Sequence, residues 1–127
     1  VKGYLLDTQI FLWCLIDSPR LTPKARKIIA DPSNPVFVSA VTSWEIAIKK
    51  SLGKLKAPDD IARIVEERGF LELPVYLYHG DRVLKLPGHH RDPFDRMLIA
   101  QALAEDLVII TADRKFEKYG VKLIGVW

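Results

Sequence analysis

Five short apolar runs with helical segments between them constrain the fold of this chain most strongly. Tyr4-Leu5-Leu6 and Val36-Phe37-Val38 read as buried strands, as do 70–73, 107–110 and 121–126. The intervening segments carry helical spacing or helix signals. One helix is expected over 8–16. A second starts at Thr22, a good N-cap, with Pro23 in the first helical position. A third covers 40–52 and ends at Gly53, and a fourth runs from Pro58 to Gly69. Two more are expected over 75–84 and 92–105. Strands separated by helices predict an α/β domain with a mainly parallel sheet. Residues 1–127 read as one domain, with no repeat and no low-complexity segment. A chain of 127 residues can bury a core without disulfides. Cys14 is the sole cysteine and sits in an apolar stretch, so a buried core thiol in a reducing, cytoplasmic setting is expected. The longest apolar run, 10–16, is too short for a bilayer and has no basic leader, so neither membrane association nor a signal peptide is expected.

The net charge is +3, but it is unevenly spread. Residues 20–56 hold eight Lys and Arg against Asp31 and Glu45, whereas 57–73 hold five acids against two arginines. The basic half suits either phosphate attraction or a solvated helix surface.

In an open parallel sheet, ligands collect beyond the carboxyl ends of the strands. Asp7 directly follows the first strand, and Asp113 lies just past the strand over 107–110. Glu45 falls in the second turn of the helix after Val36-Phe37-Val38, and Asp95 in the first turn of the helix over 92–105. Each has a plain alternative. Asp7 can cap a helix, Glu45 can pair with Lys49 four residues on, and Asp113 can serve a turn. Asp92 before Pro93 is an ordinary helix start, and an acid at Asp95 suits the helix dipole. Yet Asp7 precedes an apolar helix, Glu45 shares a face with Val41, Ile48 and Leu52, and Asp95 heads the stripe Leu98, Ile99, Ala102. Carboxylates gathered at one sheet edge repel one another unless a cation neutralises them. Oxygen donors alone suit Mg²⁺ or Mn²⁺. Zinc fits less well, because His79, His89 and His90 form no ligand motif; His89 and His90 are expected in a loop near the acids, touching phosphate. Setting aside Asp7, Glu45, Asp92, Asp95 and Asp113 leaves 19 Lys and Arg against 11 acids, so metal loading would unmask a basic surface.

The segments 5–13, 43–49, 90–102 and 110–113 carry Leu-Leu-Asp-Thr-Gln, Ser-Trp-Glu-Ile, His-Arg-Asp-Pro-Phe-Asp-Arg and Ile-Thr-Ala-Asp. Together they resemble, in order and over nearly the whole chain, the four motif blocks of PIN-domain proteins, and most closely the VapC-type toxins of prokaryotic type II toxin–antitoxin pairs. The resemblance implies a three-layer α/β/α fold and an Mg²⁺- or Mn²⁺-dependent endoribonuclease, with water activated by the metal attacking the phosphodiester. By position it implies Asp7, Asp95 and Asp113 as metal-holding acids, with Glu45 completing the site. Asp92 matches a frequent extra acid, and Thr8 and Thr111 match neighbouring polar positions. Lys49, Arg91, Arg96 and Arg114 are candidates for phosphate contact, with surface pairing as the alternative. A homodimer and a small antitoxin partner are also implied. The apolar helix over 8–16, with Phe11, Leu12, Trp13 and Ile16, offers either a groove for a partner helix or a fully buried core element.

Two rival readings differ in class. A housekeeping PIN nuclease would process RNA without an antitoxin. A metal-binding interaction domain, similar to phospho-receiver regulators, would need an acceptor Asp with a paired acid and a late Lys, which the spread of these four acids fits poorly.

Overall fold

The computed structural model describes residues 2–89 and 92–127. In these residues β1 (Gly3–Leu6), β2 (Val36–Ser39), β3 (Leu71–Leu73), β4 (Leu107–Thr111) and β5 (Leu123–Gly125) form a sheet in the order β3-β2-β1-β4-β5. Every strand pair is parallel, so the sheet is parallel throughout rather than mainly so. Leu5 sits between Phe37 and Ile109, and Leu6 between Val38 and Ile110.

Side chains alternate across a strand, so neighbouring residues feed opposite layers. Leu5 and Ile109 join Leu98, Ile99 and Phe116 in one core. Leu6 and Ile110 join Ile10, Phe11, Ala25, Ile46 and Val65 in the other. The second layer is built from α1 (Thr8–Leu15), α2 (Pro23–Ala30), α3 (Ala40–Ser51) and α4 (Ile61–Glu67). The first contains α6 (Pro93–Glu105), against which α5 (Leu77–Leu84) packs. The result is the three-layer α/β/α arrangement.

Several boundaries differ from expectation. Helix α4 begins at Ile61, not Pro58, because Asp60 takes a left-handed conformation (φ 56°) that the helix can follow but not contain. Helix α5 begins at Leu77, because the ring of His79 accepts the Tyr76 N–H and caps the chain there. A 3-10 helix over Arg114–Tyr119 was not expected; it buries Phe116 and Tyr119, three residues apart, against the first core. Cys14 is partly rather than fully buried, and burial still pushes its thiol up to about 11. No described helix is long and apolar enough to cross a membrane.

Candidate active site

The strand order reverses direction between β1 and β4, and such a switch point opens a crevice at the carboxyl edge of the sheet. Asp7 stands at that edge after β1, and Thr111 and Asp113 at the end of β4. Helix α3 leaves β2 from the same edge and carries Glu45. Helix α6 leads into β4, so its first turn, with Asp92 and Asp95, returns to that edge. A cleft of about 290 Å³ is accordingly lined by Asp7, Glu45, Asp92, Asp95 and Asp113, with Thr8, Gln9, Leu12, Lys49, Lys54 and Leu55. A larger cleft beside Trp44 is apolar and has no carboxylate in its lining.

Asp7, Asp92 and Asp113 make local caps and also line the cleft. Asp7 is 5% exposed; its Oδ1 accepts the Ile10 N–H at 2.8 Å, capping α1, and its Oδ2 accepts the Thr111 hydroxyl. The Thr111 hydroxyl also accepts the Asp113 N–H at 3.0 Å, so one side chain fixes two acids. Glu45 is equally buried at 5%; its Oε1 accepts the Thr8 hydroxyl at 2.7 Å and its Oε2 pairs with Lys49. With its own proton on Glu45, the Thr8 hydroxyl accepts from Thr42, 3.1 Å away. Asp92 caps α6 by accepting the N–H groups of Phe94 (2.9 Å) and Asp95 (3.1 Å). Asp113 Oδ1 accepts the Lys115 N–H at 2.9 Å and starts the 3-10 helix.

The electrostatics mark the cleft as overloaded with negative charge. Burial pushes the Asp95 carboxyl up to about 8, with further upward pressure from Asp92, Asp7, Glu45 and Asp113. Burial likewise raises Asp7 to about 6, against the lowering effect of its bonds to Thr111 and Ile10. Among the described residues, no three acid, histidine or cysteine side chains already stand as a closed ion site; the acids ring a common space instead. The donor set nevertheless fits a hard divalent cation. It consists of carboxylate oxygens, and a cation among them would offset the upward pressure on Asp95 and Asp7.

The basic candidates divide. Lys49 lines the cleft. Arg96 donates to the carbonyls of Pro87 (2.9 Å) and Val83 (3.2 Å) and lines the apolar cleft instead. Arg114 lies over the Trp127 ring at 4.5 Å and pairs with Glu117. Arg91 and His90 lie outside the described residues. His89 is exposed and meets the Tyr119 ring edge-on, away from the cleft lining. Sequence reading missed Lys54 and Thr42. Thr42 had a signal, because it precedes Glu45 by three residues and so shares its helix face. It also missed a largely buried polar chain along the second half of α6. Ser39 donates to Gln101 Oε1 at 2.6 Å, Gln101 donates to the Pro74 carbonyl at 3.1 Å, and fully buried His79 faces Glu105 at 2.9 Å.

Comparison with known proteins agrees with this architecture. A curated relative, ribonuclease VapC16 from Mycobacterium tuberculosis, is 43% identical over 54 residues; the match spans 39% of this chain and only 38% of that protein. The crystal structure of DNA-bound VapBC from Salmonella typhimurium is similar over 100% of both chains, with TM-score 0.71 and 19% identity. A toxin–antitoxin complex from Klebsiella pneumoniae is similar over 98% of both chains, with TM-score 0.67 and 18% identity. At these identities the two structures speak for the fold. The PIN-domain family model matches residues 4–122, and the chain belongs to that family.

Proposed function

We propose that this chain is a divalent-metal-dependent endoribonuclease acting as the toxin of a type II toxin–antitoxin pair. The observation that carries the reading is the convergence of Asp7, Glu45, Asp95 and Asp113 on one cleft across the switch point, close enough for the other three each to raise the Asp95 carboxyl. Likeness to a named ribonuclease and to toxin–antitoxin complexes supports the biological half. Asp7, Asp95 and Asp113 would hold Mg²⁺ or Mn²⁺, with Glu45 completing the set. When bound, the cation supplies electrophilic stabilisation of a phosphodiester and activation of water.

The chain's own residues prepare that chemistry. Thr111 orients the Asp7 carboxylate and the Asp113 backbone together. Thr8, backed by Thr42, orients Glu45. Asp92 fixes the first turn of α6 and with it the backbone of Asp95. Lys49 and Lys54 bring positive charge to the cleft wall, where a polyanionic strand needs it.

Two apolar faces support partners. Trp44, Leu77 and Leu84 are exposed beside the cleft lined by Val75, Val83 and Met97, and this face suits a second copy of the chain. Cys14, Leu21, Ile29 and Phe70 line a groove at the end of α1, edged by Arg68 and the Arg26–Asp17 pair, that suits the apolar face of an antitoxin helix. The setting proposed is cytoplasmic.

The test is incubation of purified protein with total cellular RNA and Mg²⁺ or Mn²⁺, beside EDTA and Asp95→Asn. Discrete fragments absent from both controls are expected. Fragments that persist in EDTA or in Asp95→Asn overturn the reading.

A further inference from the structure

Lys49 has a place in the cleft that phosphate contact alone does not explain. It sits one helical turn beyond Glu45 on α3, and its ammonium is paired with Glu45 Oε2. The pair is lopsided: the Glu45 side chain is 7% exposed and that of Lys49 42%. Glu45 is independently held by the Thr8 hydroxyl on its other oxygen. The carboxylate is therefore anchored and the ammonium is the movable member, a point charge on a flexible four-carbon stem. The field of Asp92 and Asp95 also reaches Lys49.

We propose that Lys49 is the resident counterion of the acid cleft: it neutralises Glu45 until a divalent cation takes that carboxylate, and is then released towards the phosphate of a bound RNA strand. The inference rests on the nuclease reading above. It explains why a carboxylate as buried as Glu45 is tolerated in the metal-free protein, since an unpaired charge there would be costly. It also makes the cation and the substrate cooperative. The charge that holds the empty site together becomes available to substrate only when the site is filled.

The experiment is calorimetric titration of Mn²⁺ into the full chain. The variants are Lys49→Met, Lys54→Met, and Glu45→Gln with and without Lys49→Met. Lys54 lines the same cleft, so Lys54→Met measures the effect of removing one nearby positive charge. Lys49→Met is expected to tighten Mn²⁺ by about 10-fold, as befits loss of a competing charged hydrogen bond. Lys54→Met is expected to tighten it by about 2-fold, a screened Coulomb effect. In the Glu45→Gln background, the Lys49→Met effect should shrink to that of Lys54→Met. The thermal midpoint of metal-free Lys49→Met should lie below wild type, and saturating Mn²⁺ should close the gap. Equal tightening by the two lysine variants, or a gap that persists in Mn²⁺, overturns the counterion role. Asp95→Asn separates the two layers. If it loses Mn²⁺ while the lysine variants behave alike, the nuclease reading stands and the exchange falls. If it binds Mn²⁺ like wild type, the ion sits elsewhere, and both fall.

Discussion

Helix α6 carries a carboxylate cluster at its first turn and a hydrogen-bonded polar chain along its second half. Both bury polar groups, and they do so in opposite ways. Along the second half, donors and acceptors match. The Tyr76 N–H donates to His79 Nδ1, which assigns the ring proton to Nε2, and that proton faces Glu105. Gln101 uses both ends of its amide, on Ser39 and on the Pro74 carbonyl. At the first turn, like charges crowd together, and burial holds Asp95 towards its protonated form. No buried side-chain nitrogen or oxygen among the described residues lacks a hydrogen-bond partner, so the cleft is not a packing fault. What sets it apart is the crowding of like charges around Asp95, not missing hydrogen bonds. A matched polar network serves the fold, whereas an unbalanced one calls for a ligand.

The largest expected effect breaks the comparison at the cleft. Asp95→Asn should cut RNA cleavage by roughly 10²-fold or more while leaving circular dichroism unchanged. A gel assay beside a thermal melt checks both halves. The next effect breaks it at the other end. His79→Ala removes a fully buried ring from the matched chain and should cost about 2–3 kcal/mol by denaturant titration, with Mn²⁺ affinity preserved.

The third prediction sharpens the contrast through pH. Asp95 rises from an ordinary 3.8 to about 8 and Asp7 to about 6, so the native state holds protons that the unfolded chain has released. Stability from these groups is therefore full below about pH 4 and is lost as pH rises towards 8. Metal-free protein should lose roughly 1–2 kcal/mol across that window, a discounted figure because the cleft opens to solvent and the acids share protons. Mg²⁺ should restore the loss, most strongly at the alkaline end, as melts at fixed ionic strength would reveal. The smallest effect runs the other way. The Tyr78 hydroxyl, and then His79, hold Glu105 below its ordinary value of 4.5, so its contribution is present above that range and lost as pH falls through it. Glu105→Gln should cost less than about 1 kcal/mol at neutral pH and flatten only the acid limb of the stability profile.

The two regions also differ in how legible they were. The acids announced themselves because each sits beside a strand end or on an apolar stripe, and local spacing suffices to notice that. The strands were legible for the same reason. The matched chain was not, because its members are far apart in sequence: Ser39 meets Gln101 across 62 residues, and His79 meets Glu105 across 26. A lone buried histidine in the 75–84 segment has no local signature of its partner. The 3-10 helix over Arg114–Tyr119 escaped notice because four of its six residues are charged and only Phe116 and Tyr119 turn inward. Arg96 looked like a phosphate ligand by its neighbours in the motif, but it donates to the Val83 carbonyl in the last turn of α5 and to the Pro87 carbonyl beyond it.

The Thr111 hydroxyl bonds Asp7 across 104 residues of chain. During synthesis at roughly 5–20 residues per second, Thr111 is added roughly 5–20 s after Asp7. Until then the first acid of the cleft lacks the side chain that orients it. Helices α1 to α4 can form and begin to pack in that interval, but the cleft cannot be completed. Assembly of the carboxylate centre is thus timed by translation. A chain released before β4 has three of the five strands and none of the finished site.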